Sequence, residues 1–211
     1  MRGAIILAGG PSIRFGRNKA LIRLYDKSLI EYIVDQARLI TEKIVVTISK
    51  NDSIEEFHEI LQSDIEIIRD EGDLKSPLTG LMSGLNRFSE GYIAVLAGDM
   101  PFIKSEVLNI LFQKVIGFNL AIPRWPNGYL EPLHAVYDYE KTRKCLHQLR
   151  ISNDTRVSDL ISMLELVNYL DINEIKKIDP SLRCFFNINS EIELKIAESY
   201  VKNLLDEKNN Q

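Results

Sequence analysis

The stretch Ala4-Ile5-Ile6-Leu7-Ala8-Gly9-Gly10-Pro11-Ser12-Ile13-Arg14-Phe15-Gly16-Arg17-Asn18-Lys19 sets a short apolar run directly against a glycine-rich, basic loop. Residues 4–7 carry no polar side chain, as befits a strand buried on both faces. The paired glycines Gly9 and Gly10 let the backbone approach a ligand and turn its N–H groups toward phosphate oxygens. Arg14, Arg17 and Lys19 add positive charge, and Lys19 ends the loop as a phosphate-reaching lysine does. The plainer alternative is a strand-ending turn with solvated basic residues, but glycines and cations together, straight after a buried strand, favour phosphate. Two familiar phosphate loops do not fit. Walker A requires Gly-x-x-x-x-Gly-Lys-Ser/Thr, whereas Gly16 is followed by Arg17-Asn18-Lys19-Ala20. The dinucleotide fingerprint Gly-x-Gly-x-x-Gly is absent as well.

Outward from this loop, short apolar runs alternate with longer amphipathic ones. Residues 4–7, 43–48, 65–68, 92–97, 119–122, 133–137 and 185–188 read as strands. Three helices open with Ser followed three residues later by Glu: Ser28/Glu31, Ser53/Glu56 and Ser190/Glu193. In that arrangement the two side chains reciprocally satisfy free N–H groups of the first turn. Further helices are expected over 78–87, 104–115, 139–149 and 156–164. Strands separated by helices predict an α/β fold: a mostly parallel, mixed sheet with helices on both faces, in one domain over residues 1–205. Residues 206–211 are polar and are expected to form a flexible C-terminal tail. Such sheets bind ligands beyond the carboxyl ends of their strands, so the loops that follow strands are the ones to inspect.

Composition narrows the function classes. A chain of 211 residues, 45 % hydrophobic and 27 % charged, is an ordinary globular mix. A formal charge of −4 argues against a general affinity for nucleic acid, without excluding one mononucleotide held by local cations. No apolar run reaches the length of a membrane span, and the apolar start is cut short by Gly9, Gly10 and Pro11, unlike a signal peptide. Cys145 and Cys184 lie far apart with no CxxC or Cys/His cluster, which suggests free thiols in a reducing cytoplasm and no zinc site.

A second turn carries metal chemistry. After the apolar run 92–97 come Gly98-Asp99-Met100-Pro101-Phe102. A carboxylate just beyond a buried strand suits Mg²⁺, which takes one or two carboxylates and completes its shell with substrate phosphates and water. The alternative is that Asp99 caps the helix near Lys104, for which Ser105 is better placed. The turn-rich Pro123-Arg124-Trp125-Pro126-Asn127-Gly128 offers Trp125 as a stacking surface and Arg124 as an anion contact, or simply a surface loop packed on its own prolines. His134 is expected to face the interior or the site, more as a packed residue than a catalytic one. Asn187 and Asn189 would share one face of a last strand, and 171–180 reads as a solvated connection.

Together these segments resemble the molybdenum cofactor guanylyltransferases, within the glycosyltransferase-like nucleotidyltransferase superfamily. LAGGPSIRFGRNKALI is similar to that family's LAGG-x-S-x-R-x-G-x-x-K signature, SPLTGL at 76–81 to its GPLAG segment, and GDMPFI at 98–103 to its metal-binding turn. NGYLEPLHAVY at 127–137 and FNINSEIEL at 186–194 follow in the family's order. The resemblance implies a Rossmann-like nucleotidyltransferase fold, with Leu7, Ala8, Gly9, Gly10, Lys19 and Asp70 at the nucleotide. It further implies Asp99 as the Mg²⁺ ligand and Lys19, Arg14 and Asp99 as the catalytic set. GTP would be the donor and a molybdopterin-type phosphate the acceptor. Two positions depart from the pattern: Thr47 stands where the family often has asparagine, and Ser76 replaces the first glycine of GPLAG. Asp70 either accepts two N–H groups of guanine's Watson–Crick edge or binds the ribose hydroxyls. The competing expectations are a related transferase with another phosphate acceptor or CTP as donor, and a nucleotide-binding regulator without turnover. Protein partners are not legible.

Overall fold

The computed structural model describes residues 1–9, 18–71, 76–149 and 155–209. Its elements are β1 (Arg2–Leu7), β2 (Arg23–Leu24), β3 (Lys27–Ser28), α1 (Leu29–Arg38), β4 (Lys43–Ile48), α2 (Ile54–His58), β5 (Glu66–Arg69), α3 (Pro77–Leu85), β6 (Tyr92–Ala97) and α4 (Ser105–Lys114). There follow β7 (Leu120–Arg124), β8 (His134–Asp138), α5 (Tyr139–Gln148), α6 (Val157–Met163), β9 (Val167–Asp171), α7 (Ile172–Lys176) and α8 (Glu191–Asn209). Seven strands form one sheet in the order β5-β4-β1-β6-β8-β7-β9. β8 alone runs against its neighbours β6 and β7; the remaining pairs, including β7 with β9, are parallel. The expected mixed, mostly parallel α/β sheet is what forms.

Helices on both faces explain why the central strands carry apolar residues at consecutive positions. Ala4, Ile6, Val46, Ala94 and Leu96 pack on one side with residues of α1 and α4. Ile5, Val45, Ile93 and Val95 point the other way, toward α3, α5 and α6. A smaller cluster joins the β2–β3 hairpin to α8 through Leu24, Leu29, Ile188, Ala197 and Val201.

All three Ser/Glu pairs sit at helix starts, with the reciprocal box formed at Ser28/Glu31. Ser28 N–H donates to Glu31 at 2.6 Å, Glu56 N–H to Ser53 Oγ at 3.3 Å, and Glu193 N–H to Ser190 Oγ at 3.3 Å. α8 runs on through residue 209 and so takes in most of the segment expected as a tail.

Two expectations are corrected. The run 185–188 is not a strand: a 3₁₀ turn occupies Arg183–Phe185, because Asp179 Oδ2 accepts the Cys184 N–H at 2.8 Å and Leu182 sits in the left-handed region. The seventh sheet strand is instead β9, whose polar Asn168 and half-exposed Tyr169 obscure it in sequence. Residues 171–180 are not merely solvated, since α7 buries Ile172 and Ile175 and Asp179 is 3 % exposed.

Candidate active site

The chain leaves β1 for β4 on one side and later enters β6 on the other, which makes the gap between β1 and β6 the topological switch point of the sheet. Both motif loops emerge there. Leu7 and Ala97 are paired across the strands, and Gly98 N–H donates to Leu7 O at 2.9 Å, so the two turns leave the sheet side by side. Leu7, Ala8, Gly9, Lys19, Gly98 and Asp99 line a pocket of 210 Å³ at this point. Gly10, Arg14 and Arg17 lie outside the described residues.

Lys19 opens a 3₁₀ turn, Lys19–Leu21, capped by Asn18. Asn18 has a signal of its own in the sequence, since an Asn ahead of a helical turn is a recognisable cap. Its amide uses both ends: Nδ2 donates to Ala8 O at 2.7 Å and Oδ1 accepts from Ala20 N–H at 2.9 Å. The side chain carrying the lysine's turn is thus tied to the end of β1.

From that turn the Lys19 ammonium donates to Asn189 Oδ1 at 2.5 Å and lies 3.5 Å from Asp99 Oδ2. Asn189 therefore meets the lysine rather than lining the face of a strand. Burial raises the Asp99 carboxyl above the ordinary range, and the nearby Lys19 charge opposes that rise. Asp99 does not cap α4: Lys104 is the cap residue and contributes no side-chain bond, while Ser105 N–H is taken by Gln36. The Asp99 carbonyl accepts the Ile188 N–H at 3.0 Å, so the 186–190 segment clasps the turn.

Asp70 follows β5 and stands beside Gly9 and Gly80. A Cβ at Gly9 would lie 2.9 Å from Ser49 N and 3.3 Å from Asp70 Oδ2; one at Gly80 would lie 2.9 Å from Thr47 Oγ1 and 3.2 Å from Asp70 Oδ1. Two glycines thus make room for one carboxylate. Asp70 Oδ1 is buried and, among the described residues, has no hydrogen-bond partner. Burial first, and then the Asp52 charge, push the Asp70 carboxyl up to about 6. An unpaired buried acceptor is costly and calls for a donor from a ligand.

On the far side of Asp99, Trp125 is half-buried. Its Nε1 donates to Glu131 Oε1 at 2.7 Å and its ring meets Phe185 edge-on at 5.8 Å. His134 is fully buried, 4.9 Å from Phe185, and burial lowers its pKa to about 4. It stays neutral and packed at physiological pH. A larger cavity of 970 Å³ borders Pro101, Phe102 and Lys104, but two of its cations are already paired, Lys27 with Asp35 and Lys104 with Asp179.

Among the described residues no group of three or more His, Cys, Asp and Glu side chains is placed to hold a metal by itself. Asp99 has the donor chemistry for a hard cation that completes its shell with phosphate oxygens and water, which fits Mg²⁺. Among the same residues no helix is long and apolar enough to cross a membrane.

An α/β sheet whose switch point gathers a glycine-bordered strand end, a lysine and a carboxylate defines the class: a nucleotidyltransferase. The MobA-like NTP transferase domain profile matches residues 4–167, and the chain belongs to that family. It is 31 % identical over 206 residues to a probable molybdenum cofactor guanylyltransferase of Methanosarcina mazei, covering 95 % of this chain and 92 % of that one. A Pyrococcus horikoshii protein of the same description is 34 % identical over 204 residues, covering 92 % and 97 %. The crystal structure of molybdopterin-guanine dinucleotide biosynthesis protein A from Archaeoglobus fulgidus superimposes with a TM-score of 0.80 at 28 % identity, over 96 % of this chain and 100 % of that one. The resemblance read from the ordered motifs is borne out.

Proposed function

We propose that the protein transfers GMP from Mg²⁺·GTP to the phosphate of molybdopterin or its molybdenum-loaded form, releasing pyrophosphate, in the cytoplasm. The observation that carries this reading is the convergence of Lys19 and Asp99 at the β1/β6 switch point, with the unpaired Asp70 oxygen on one side. The names of its relatives support the choice of acceptor and base.

In this reading Leu7, Ala8, Gly9 and Gly10 present the loop backbone to the triphosphate, and Arg14 adds charge to it. Lys19, held at Asn189, turns its remaining N–H bonds to the phosphates, where its ammonium stabilises charge developing on the leaving pyrophosphate. Asp99 would hold Mg²⁺, which when bound supplies further charge neutralisation and alignment of the phosphates. Asp70 accepts N–H groups of guanine. The acceptor phosphate, with a second pKa of about 6, is largely dianionic near neutrality and attacks the α-phosphorus without a strong base. That suits a site whose nearest histidine, His134, is buried and uncharged.

The test is pyrophosphate release with GTP, CTP, ATP and UTP, each with and without molybdopterin and Mg²⁺. Release that requires all of GTP, molybdopterin and Mg²⁺ is expected. Faster release with CTP would change the donor, and no release with any nucleotide would overturn the enzymatic reading in favour of a binding role.

A further inference from the structure

We propose that the cleft at the carboxyl ends of β7 and β9 binds the 2-amino-4-oxopyrimidine edge of a pterin. It would be the ring subsite of the acceptor, an assignment that rests on the reading above. The cleft encloses 520 Å³ and is lined by Arg124, Trp125, Asn127, Tyr169, Asp171 and Asn173. β7 and β9 run parallel to each other and antiparallel strand β8 separates β7 from β6, so the cleft opens on the same rim of the sheet as Lys19 and Asp99.

The donors and acceptors match such a ring. The Arg124 guanidinium carbon lies 4.8 Å from the centre of the Tyr169 ring, both side chains are exposed, and among the described residues no carboxylate pairs with Arg124. Cation–π stacking of this kind pre-orients the guanidinium while leaving its N–H edges for a ligand. Those edges suit the pterin carbonyl oxygen. Asp171 uses Oδ1 to accept the Asn173 N–H at 2.7 Å, which leaves Oδ2 for the exocyclic amino group and ring N–H. Trp125 has spent its N–H on Glu131, so it contributes an apolar wall and no hydrogen bond.

The spacing also matches. β7 stands two strands from β6, about 10 Å across the sheet. That span is of the order of the distance between phosphate and ring in a pyranopterin phosphate, so one acceptor can reach both places. In this proposal Arg124 meets the ring rather than the phosphate.

The experiment is quenching of 6-hydroxymethylpterin fluorescence by the purified protein, with GTP binding measured on the same samples by calorimetry. Saturable quenching is expected, with Kd raised tenfold or more in Arg124→Ala, Arg124→Lys and Tyr169→Ala, and unchanged by Lys19→Ala or by saturating GTP. Thermal unfolding of each variant separates a lost contact from a lost fold. No saturable binding, an unchanged Kd in all three cleft variants, or displacement of the pterin by GTP would each overturn the proposal. Cleft failure with GTP binding intact removes the ring subsite alone. Failure to bind GTP removes the proposed function and leaves the quenching result to stand by itself.

Discussion

The Lys19 ammonium rests 2.5 Å from Asn189 Oδ1, a contact between residues 170 positions apart that joins the first loop of the fold to the foot of its last helix. The Asn189 N–H is in turn held by Glu193 Oε2 at 2.7 Å in the first turn of α8. Lys19 is therefore placed by a helix start, not by its own loop alone. Asn189→Ala is expected to lower kcat/KM roughly 10- to 100-fold, the range of a lost hydrogen bond to a charged group. Asn189→Gln should recover little, because the longer side chain moves the oxygen. An unchanged kcat/KM in Asn189→Ala would show that the lysine needs no such placement.

Lys19→Ala should cost ~10²–10³ in kcat if the ammonium acts as a typical electrostatic donor. Lys19→Arg should stay poor, since the larger planar head does not fit between Asn189 and Asp99. Near-normal turnover in Lys19→Ala would sink the assignment.

Asp70 gives the site a pH dependence whose sign is fixed. Its carboxyl is raised to about 6 in the folded protein, so the ionised form is the disfavoured one. The folded state therefore loses stability relative to the unfolded chain as pH rises from the ordinary aspartate range near 4 through 6. In the proposed role nucleotide binding runs the other way, because the N–H donors of guanine require the carboxylate. GTP affinity is expected to fall up to about tenfold per unit as pH drops below 6, with Asp70→Asn flattening that slope and binding weakly throughout. Titration calorimetry at a series of pH values reads both. A slope unaltered in Asp70→Asn would assign it to another group.

Thr47 and Gly80 are coupled through space. Gly80→Ala would set a Cβ 2.9 Å from Thr47 Oγ1 and 3.2 Å from Asp70 Oδ1, both at strand ends that cannot easily retreat. The substitution should cost about 1–3 kcal/mol of stability, as overpacking does, and weaken nucleotide binding by displacing Asp70. Thr47→Ala in the same chain should return part of the stability but not the affinity. Strict additivity in a double-mutant cycle by denaturant unfolding would mean the two side chains do not meet.

Much of this was legible in the sequence because it depends on local pattern. Runs 43–48 and 92–97 match β4 and β6, and the three Ser/Glu pairs mark real helix starts. Leu7, Gly9, Lys19, Asp70 and Asp99 all come to the same rim because the loops after parallel strands must do so. What stayed hidden depends on distant partners. Residues 185–188 look like a strand but are claimed by Asp179, and only tertiary contact shows Asn18 and Asn189 gripping the lysine's turn and its head. β9 reads as a polar mixture because it is an edge strand with one neighbour, β7, and needs no continuous apolar run.

The reversed direction of β8 has a design consequence. Because that strand starts at the rim where β6 ends, the hairpin between β7 and β8 hangs beside the phosphate loops while being covalently remote from them. On the proposed assignments, donor chemistry and much of the acceptor's shape are thus written on separate, exchangeable pieces of chain that meet near Leu133. Grafting a different 124–133 hairpin onto this scaffold is a route to new acceptors that leaves the lysine, the carboxylate and the base pocket in place.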